Sequence, residues 1–291
     1  MNKTITTGIM LFIFLGTLTA GGPWPQKKGQ GYFKLSEWWV VFDQHYTDEG
    51  LIDPNLTTGI FNTAVYAEYG LTDRLTGIVN APLFSRNYMN NLISRTTGEV
   101  LVKGEAINGL GDIDVGLKYG LTKPGARFLI AASVFFGIPT GITGGGTFEN
   151  LQTGDGEFNQ MVQIDAGTSL NFGKKVAGYT SAYVGFNNRT KEYSEEFRFG
   201  VELGAGFFNQ KLWVTGRVGG IESFKNGATA ASNNSTTIFA NNTEYISFSL
   251  ETNYYMTKRV GVSAAFAGAW RGEIIAARPS YSVGIFYDMS K

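Results

Sequence analysis

The chain has 291 residues, and its 24 Lys and Arg balance its 24 Asp and Glu, so its formal net charge is zero. A neutral chain lacks the basic surface that nucleic-acid binding needs, so we expect no nucleic-acid partner. Charged residues make up only 16%, and the 43% of hydrophobic residues is too high for a disordered chain. Cysteine is absent, which excludes disulfides, thiolate metal sites and cysteine nucleophiles.

Residues 1–22 have the organisation of a secretory signal peptide. A lysine precedes an apolar stretch at 8–18, and small residues follow the stretch. The stretch is shorter than a membrane-spanning helix requires. Three cleavage positions stay open: after Ala20, Gly21 or Gly22. Because composition shows no break further on, we expect an exported chain with one domain at 23–291.

Beyond the signal peptide, apolar and polar residues alternate with a period of two, as they do in half-buried strands. The clearest segment is 196–207, in which every odd position is apolar and every even position is charged or glycine. The same reading predicts twelve strands, at 31–46, 58–70, 74–87, 109–121, 126–138, 158–172, 176–187, 196–208, 212–224, 243–256, 259–270 and 279–288.

Short turns and long polar segments alternate between these strands. Five short turns each follow an aromatic residue, at 69–74, 119–127, 171–176, 207–213 and 254–260. The long segments are rich in glycine and asparagine, at 47–57, 88–108, 139–157, 188–195, 225–242 and 271–279. A soluble sandwich or lipocalin-like barrel has no reason to collect its short turns at one end, whereas an outer-membrane barrel does.

The alternation therefore predicts an all-β fold: a closed antiparallel transmembrane β-barrel of about twelve strands. Closure satisfies every backbone polar group, as a bilayer demands, and bacterial barrels have an even number of strands. We expect the chain in the outer membrane of a Gram-negative bacterium. Its expected partners are outer-membrane lipid, the barrel assembly machinery and a small-molecule solute.

Two sets of side chains follow from this orientation. Lipid takes the apolar positions of 196–207, so the charged positions point into the lumen. On this rule Phe199→Arg or Leu203→Arg destabilises the barrel, whereas Gly200→Ser is tolerated. A two-residue hairpin at 209–210 would place Glu202 opposite Arg217. The predicted lumen-lining residues are Glu68, Asp112, Asp114, Lys118, Arg127, Asp165, Glu196, Arg198, Glu202, Arg217, Glu251, Arg259 and Arg271.

We expect no enzymatic activity, no metal ion and no cofactor. His45 is the only histidine, and no second signal places a serine nucleophile beside it. The segment 153–157 has two carboxylates, but Gly-Asp-Gly is in the first place a turn and lacks the spacing of a calcium loop. The glycines at 144–146 are not followed by a phosphate-binding Lys-Ser/Thr pair.

Two stretches carry a family resemblance: GLGDIDVGLKY at 109–119, and IPTG at 138–141 followed by LQTGDG at 151–156. They resemble the outer-membrane barrels named for the MetA pathway of phenol degradation. The resemblance covers the middle third of the chain. It implies a barrel that carries small, mainly aromatic or apolar compounds inward. The chain departs from the usual barrel ending, since four residues follow its last aromatic, Tyr287.

The first stretch also has a physical interpretation of its own. Gly111 and Gly116 leave room for close strand contact or an inward-turning loop, while Asp112, Asp114 and Lys118 place charge on one face. These residues either serve passage of a solute or only build the wall and pair with inward arginines.

The sequence favours an outer-membrane channel or transporter for small molecules, apolar or aromatic ones among them. Two alternatives stay open. One is a structural or surface-interaction barrel, and the other is a soluble exported β protein that binds a ligand.

Overall fold

The computed structural model describes residues 21–173, 176–228 and 238–291. Apart from Gly21 and Gly22, the predicted signal peptide lies outside the described residues. The strands are β1 (Gly31–Tyr46), β2 (Ile52–Gly70), β3 (Leu75–Met89), β4 (Leu92–Ile93), β5 (Val100–Val102), β6 (Glu105–Gly109), β7 (Ile113–Gly120), β8 (Leu129–Ile138), β9 (Asn159–Asn171), β10 (Ala177–Asn188), β11 (Glu196–Phe207), β12 (Leu212–Ser223), β13 (Glu244–Tyr255), β14 (Val260–Glu273), β15 (Ile275–Ala276) and β16 (Ser280–Asp288). Within these ranges, no helix has the length and apolar character needed to cross a membrane.

The main sheet closes on itself. Its strands pair antiparallel in chain order, and β16 returns to pair with β1 from Tyr32 opposite Asp288 to Val40 opposite Ser280. β6 and β7 both pair with β3 and form one wall strand, and β15 and β16 both pair with β1 and form another. β4 and β5 make a small separate hairpin. The wall therefore has twelve antiparallel strands, which confirms the predicted fold class.

Most wall strands begin and end within three residues of their predicted bounds. The largest difference is β2, which begins at Ile52 and not at residue 58, so the first connection is a turn at 47–51 and not a long loop. The predicted strand 109–121 is divided by residues 110–112. The last predicted long segment, 271–279, is mostly taken up by the end of β14 and by β15.

The turn between β11 and β12 sets the register that the sequence predicts. Phe208, Asn209 and Gln210 all have positive φ, of 51°, 55° and 62°. The N–H of Lys211 donates to the carbonyl of Phe208 at 3.3 Å, so Asn209 and Gln210 are the two central residues of the turn. The pairing continues to Glu202 opposite Arg217. This confirms the predicted pair of opposite charges on adjacent strands.

The outer surface of the wall is apolar. Along β11, Phe197, Val201, Leu203 and Phe207 are exposed, whereas the residues between them are buried or half-buried. Apolar side chains on a neutral outer surface match the lipid-facing side of a membrane barrel. In β1, Trp38 faces the interior cavity, whereas Trp39 stacks on the outward Tyr281.

Exposed aromatic side chains collect near both ends of the strands. One belt lies at the short-turn end, which carries the turns 71–74, 121–128, 208–211 and 256–259. Its members include Tyr69, Tyr119, Phe128, Phe172, Phe207, Tyr254 and Tyr287. The other belt lies at the opposite, long-loop end and includes Phe136, Phe158, Phe186, Phe197, Phe224 and Trp270. Two aromatic belts flanking an aliphatic band are typical of membrane barrels.

The inner surface is packed more tightly than alternation alone suggests. The ring of Tyr183 covers Gly200, where an added Cβ would lie 2.5 Å from Cε1 of the tyrosine. Tyr179 covers Gly204 in the same way, at 2.1 Å. A side chain at Gly200 must therefore displace the ring of Tyr183, and the tolerance of Gly200→Ser stays a prediction that depends on this shift.

Candidate functional site

The barrel encloses an interior cavity of about 890 Å³. Aromatic and apolar side chains line much of it, among them Trp24, Trp38, Tyr66, Tyr179, Trp213, Ile221, Ile238 and Tyr245. Neutral polar and ionic side chains line the remainder. The cavity lies between a segment that precedes β1 at the short-turn end and folded loops at the long-loop end.

Most of the predicted lumen residues come together around this cavity. The wall places eight of them on its lining: Glu68, Asp112, Asp114, Glu196, Arg198, Glu202, Arg217 and Glu251. Lys118 and Asp165 also point inward, but both are fully buried beside the cavity, where Nζ of Lys118 lies 3.6 Å from Oε1 of Glu68.

Three predicted lumen residues lie elsewhere. Arg127 and Arg259 are exposed in short turns that precede β8 and β14, where alternation does not define a face. Arg271 is on the outer surface because a β-bulge places Ile246 opposite Arg271 but Ser247 opposite Ala269, which shifts the alternation by one residue. Nη2 of Arg271 donates to Glu222 at 2.6 Å, and the arginine side chain is 66% exposed.

A ladder of alternating charges crosses one side of the cavity. Arg217 donates to Oε2 of Glu202 through Nε and to Oε2 of Glu251 through Nη1, the latter at 2.7 Å. Nζ of Lys34 donates to the other oxygen of Glu251 at 2.7 Å. Lys34 comes from β1 and reaches past the small side chains that β14 and β16 turn inward, such as Ser263. Two cations and two carboxylates balance, so the ladder narrows the bore without adding net charge.

Residues 21–30 cross the bore at the short-turn end, a feature that the sequence did not predict. Trp24 packs edge-on against Tyr179, with ring centroids 5.4 Å apart. Gln26 donates to Oε2 of Glu68 through its side chain and to Thr76 through its backbone, at 2.9 and 2.8 Å. β10 and β2 are five strands apart in the ring of twelve, so this N-terminal segment spans the lumen. Prolines on both sides of Trp24 indicate that it is not a strand, but nothing in the sequence indicates where it lies.

The loop 139–157 turns back into the barrel at the long-loop end. Oδ1 and Oδ2 of Asp112 accept hydrogen bonds from the backbone N–H groups of Gly141 and Asp155, both at 2.8 Å. An added Cβ at Gly154 would lie 2.2 Å from Oδ1 of Asp112, so this position requires glycine. The two sequence stretches that carry the family resemblance thus meet at Asp112. Gly111 allows close contact with β3, since an added Cβ there would lie 2.7 Å from Cβ of Pro82.

A buried arginine fastens the same end of the barrel. Arg189 donates through Nε to Glu157 and through Nη1 to Glu196, both at 2.9 Å, and lies 3.5 Å from Asp155. Arg198 donates to the other oxygen of Glu196 at 2.6 Å. Burial, opposed by Arg189, raises the pKa of Glu157 to about 8. The carboxylates outnumber the arginines, so at least one acid is favoured in its protonated form.

The other side of the long-loop end is apolar inside as well as outside. Val40, Phe42, Ile60, Tyr245 and Ile275 are buried together, and Ile238 from the loop before β13 packs on them. Sequence reasoning missed this cluster because it assigned apolar residues to lipid. The signal was present in β1, where the run WWVVF is apolar on both faces.

His45 makes no hydrogen bond through Nδ1 to a serine or to any other described residue. The histidine lies at the outer end of β1, opposite Ala276, and its Nδ1 is buried. In the same ranges, no group of three acidic, histidine or cysteine side chains is arranged to hold a metal ion.

No family model matches this sequence, and no curated protein matches it. Among solved structures, the chain is similar to an outer membrane channel from Pseudomonas putida F1, with 13% identity over 94% of this chain and 100% of the other, and a TM-score of 0.56. It matches the NanC porin at 8% identity over 88% of this chain and 98% of the other, with a TM-score of 0.46. The similarity to the Pseudomonas putida channel supports the fold of an outer-membrane barrel. The TM-score with the NanC porin is too low to add to the argument.

Proposed function

We propose that this chain is an outer-membrane channel that carries small molecules, apolar or aromatic ones among them, through its interior cavity. The observation that carries the proposal is the cavity of about 890 Å³ inside a closed twelve-strand wall. A cavity of this size with aromatic lining and a few placed polar groups has the character of a small-molecule site. The resemblance to barrels named for phenol degradation points to the same class of solute.

The outer surface supports a location in the outer membrane. Leu35, Val201 and Ile285 are each more than half exposed on the aliphatic band between the aromatic belts. A soluble protein rarely exposes a continuous apolar surface of this extent, so the soluble alternative is disfavoured. The predicted signal peptide supports export, and a closed barrel has the form that a Gram-negative outer membrane accepts.

The loops favour passage over binding to another surface. The loop 139–157 is fastened to Asp112 inside the barrel, and Ile238 and Phe239 from the loop before β13 line the cavity. Both loops contribute to the interior of the described barrel. They shape the outer entrance, which is where a channel selects its solute.

The test is uptake of a labelled small aromatic alcohol by Gram-negative cells with and without the chain. Ser249 lines the cavity, and its neighbour Leu250 is exposed on the outer surface. We expect Ser249→Trp to lower uptake to the level of cells without the chain, because the indole occupies the bore. Leu250→Trp, the matched control, should retain wild-type uptake. Equal uptake with and without the chain, or full uptake by Ser249→Trp, would contradict the proposal.

A further inference from the structure

The buried charges beside the N-terminal segment do not balance. Glu68 and Asp165 are 3% and 2% exposed, and Nζ of Lys118 lies 3.6 Å from Glu68 and acts electrostatically on Asp165 as well. Oδ2 of Asp165 is buried and accepts no hydrogen bond within the described ranges. The nearby ladder of Lys34, Arg217, Glu202 and Glu251 is neutral by itself, so it supplies no spare cation. One negative charge is therefore in excess, and an uncompensated buried charge is costly.

The backbone of the first described residues lies at this cluster. The backbone nitrogen of Gly21 is 3.0 Å from Oε1 of Glu68, and Gly22 lines a small space together with Asp165 and Ser181. In an unprocessed chain these nitrogens are neutral amides with one hydrogen each. In a chain cut immediately before one of them, the nitrogen is a primary amine that carries a charge and three donors at neutral pH.

We propose that Glu68 and Asp165 form a binding site for the α-ammonium group that signal-peptide removal creates at Gly21 or Gly22. Cleavage adds water across the peptide bond, leaves a carboxylate on the released peptide, and leaves an amine that takes up a proton. The new charge balances the buried cluster and fastens residues 21–30 across the bore. Processing thereby fixes the position of the N-terminal segment at the short-turn end.

This inference goes beyond the proposed channel and rests on the predicted signal peptide, not on transport. It also selects among the three cleavage positions. A cut after Ala20 places the ammonium at Glu68, and a cut after Gly21 places it in the small cavity that Gly22 lines together with Asp165. A cut after Gly22 leaves the ring nitrogen of Pro23. The intact mass of the chain purified from outer membranes should therefore correspond to a start at Gly21 or Gly22. A start at Pro23 or later, or an uncut chain, would overturn the proposal.

The second measurement is the reactivity of the α-amine in the folded barrel. A free α-amine has a pKa of about 8 and reacts faster than lysine with amine-directed reagents at pH 7. Gly21 is exposed to the cavity, so a small reagent can reach it. We expect Glu68→Gln, which keeps the shape and removes the charge, to label at the N-terminus about tenfold faster than wild type, the equivalent of about one pKa unit.

Glu251→Gln is the matched control, because it makes the same change at a lumen carboxylate of the ladder. It should leave the labelling rate of the α-amine unchanged. Folding of each variant is checked by its faster migration on a denaturing gel without boiling, and Asp165→Asn serves if Glu68→Gln does not fold. Labelling in wild type as fast as in the Glu68→Gln variant would refute the binding site and leave the channel proposal untouched.

Discussion

The outer and inner surfaces of the same wall are built by different rules. On the outside, side chains such as Val201 and Leu203 need only to be apolar, because they face lipid chains and not particular protein side chains. On the inside, Arg189 contacts three particular carboxylates, and Arg217 contacts two. The outer surface is thus specified by residue class, whereas the inner surface is specified by individual partners. Substitutions on the two surfaces should therefore destabilise the barrel for different reasons.

The sharpest contrast is between Arg189 and Arg271. The Arg189 side chain is 4% exposed, so Arg189→Met removes the arginine that pairs with the buried Glu157, whereas Glu196 keeps its pair with Arg198. We expect a loss of about 3–5 kcal/mol in the free energy of unfolding, measured by urea titration in lipid vesicles. Arg271→Met is the control, since its pair with Glu222 is on the outer surface and exposed ion pairs contribute about 1 kcal/mol or less. Similar losses for both variants would remove the contrast.

On the outer surface, the introduction of a charge should by itself destabilise the barrel. Leu203 is 52% exposed near the middle of the outward row of β11, so Leu203→Arg places a cation in the apolar band. We expect a loss of about 2–4 kcal/mol if this position lies at the bilayer midplane. Leu203→Met should cost little, because it preserves the residue class. The same urea titration distinguishes them, and a tolerated arginine would show that this band does not face lipid.

This contrast also explains which features could be predicted from sequence. Alternation along 196–207 predicted the strand, its outward face and the pairing of Glu202 with Arg217, because each follows from period and turn length. The same rule misplaced Arg271, since a single bulge shifts every later residue by one. A bulge depends on the partner strand, and alternation within one strand does not record it.

The interior was predicted less completely for a similar reason. Gly200 reads as a permissive lumen position until the ring of Tyr183 from the adjacent strand is placed over it. The N-terminal segment has no periodicity, and its position depends on Glu68, Thr76 and Tyr179, which are distant in sequence. The pattern of the sequence alone does not predict features of this kind, because they depend on contacts between residues that are far apart in the chain.

The charge ladder offers a test of function on the inner surface. Arg217 is 22% exposed to the cavity, so its removal together with Glu202 should cost less stability than the loss of Arg189. We expect low, intermittent conductance from the wild type in planar bilayers. Glu202→Ala with Arg217→Ala should raise it, because two long side chains leave the bore. Glu222→Ala with Arg271→Ala, the same change on the outer surface, should not. A large, steady wild-type conductance would favour a general porin.

The last prediction concerns the dependence of stability on pH at the long-loop end. The pKa of Glu157 is raised to about 8 by burial, against about 4.3 in an unfolded chain. The folded state therefore binds more protons than the unfolded state, and the contribution of Glu157 to stability falls as pH rises through this interval. Glu157→Gln removes the titration, so its stability relative to wild type should increase from pH 5 to pH 8.

Glu105, the first residue of β6, is the matched control, because it contacts the same loop through Thr147. Its carboxylate accepts hydrogen bonds from Thr147, which lower its pKa, so its contribution is present above the unfolded pKa and is lost only at acid pH. The difference between Glu105→Gln and wild type should therefore stay constant from pH 5 to pH 8. Urea titrations at both pH values measure the two differences. If the difference in stability between Glu157→Gln and wild type were constant as well, Glu157 would be ionised at both pH values. The attraction of Arg189 for the carboxylate would then outweigh the effect of burial.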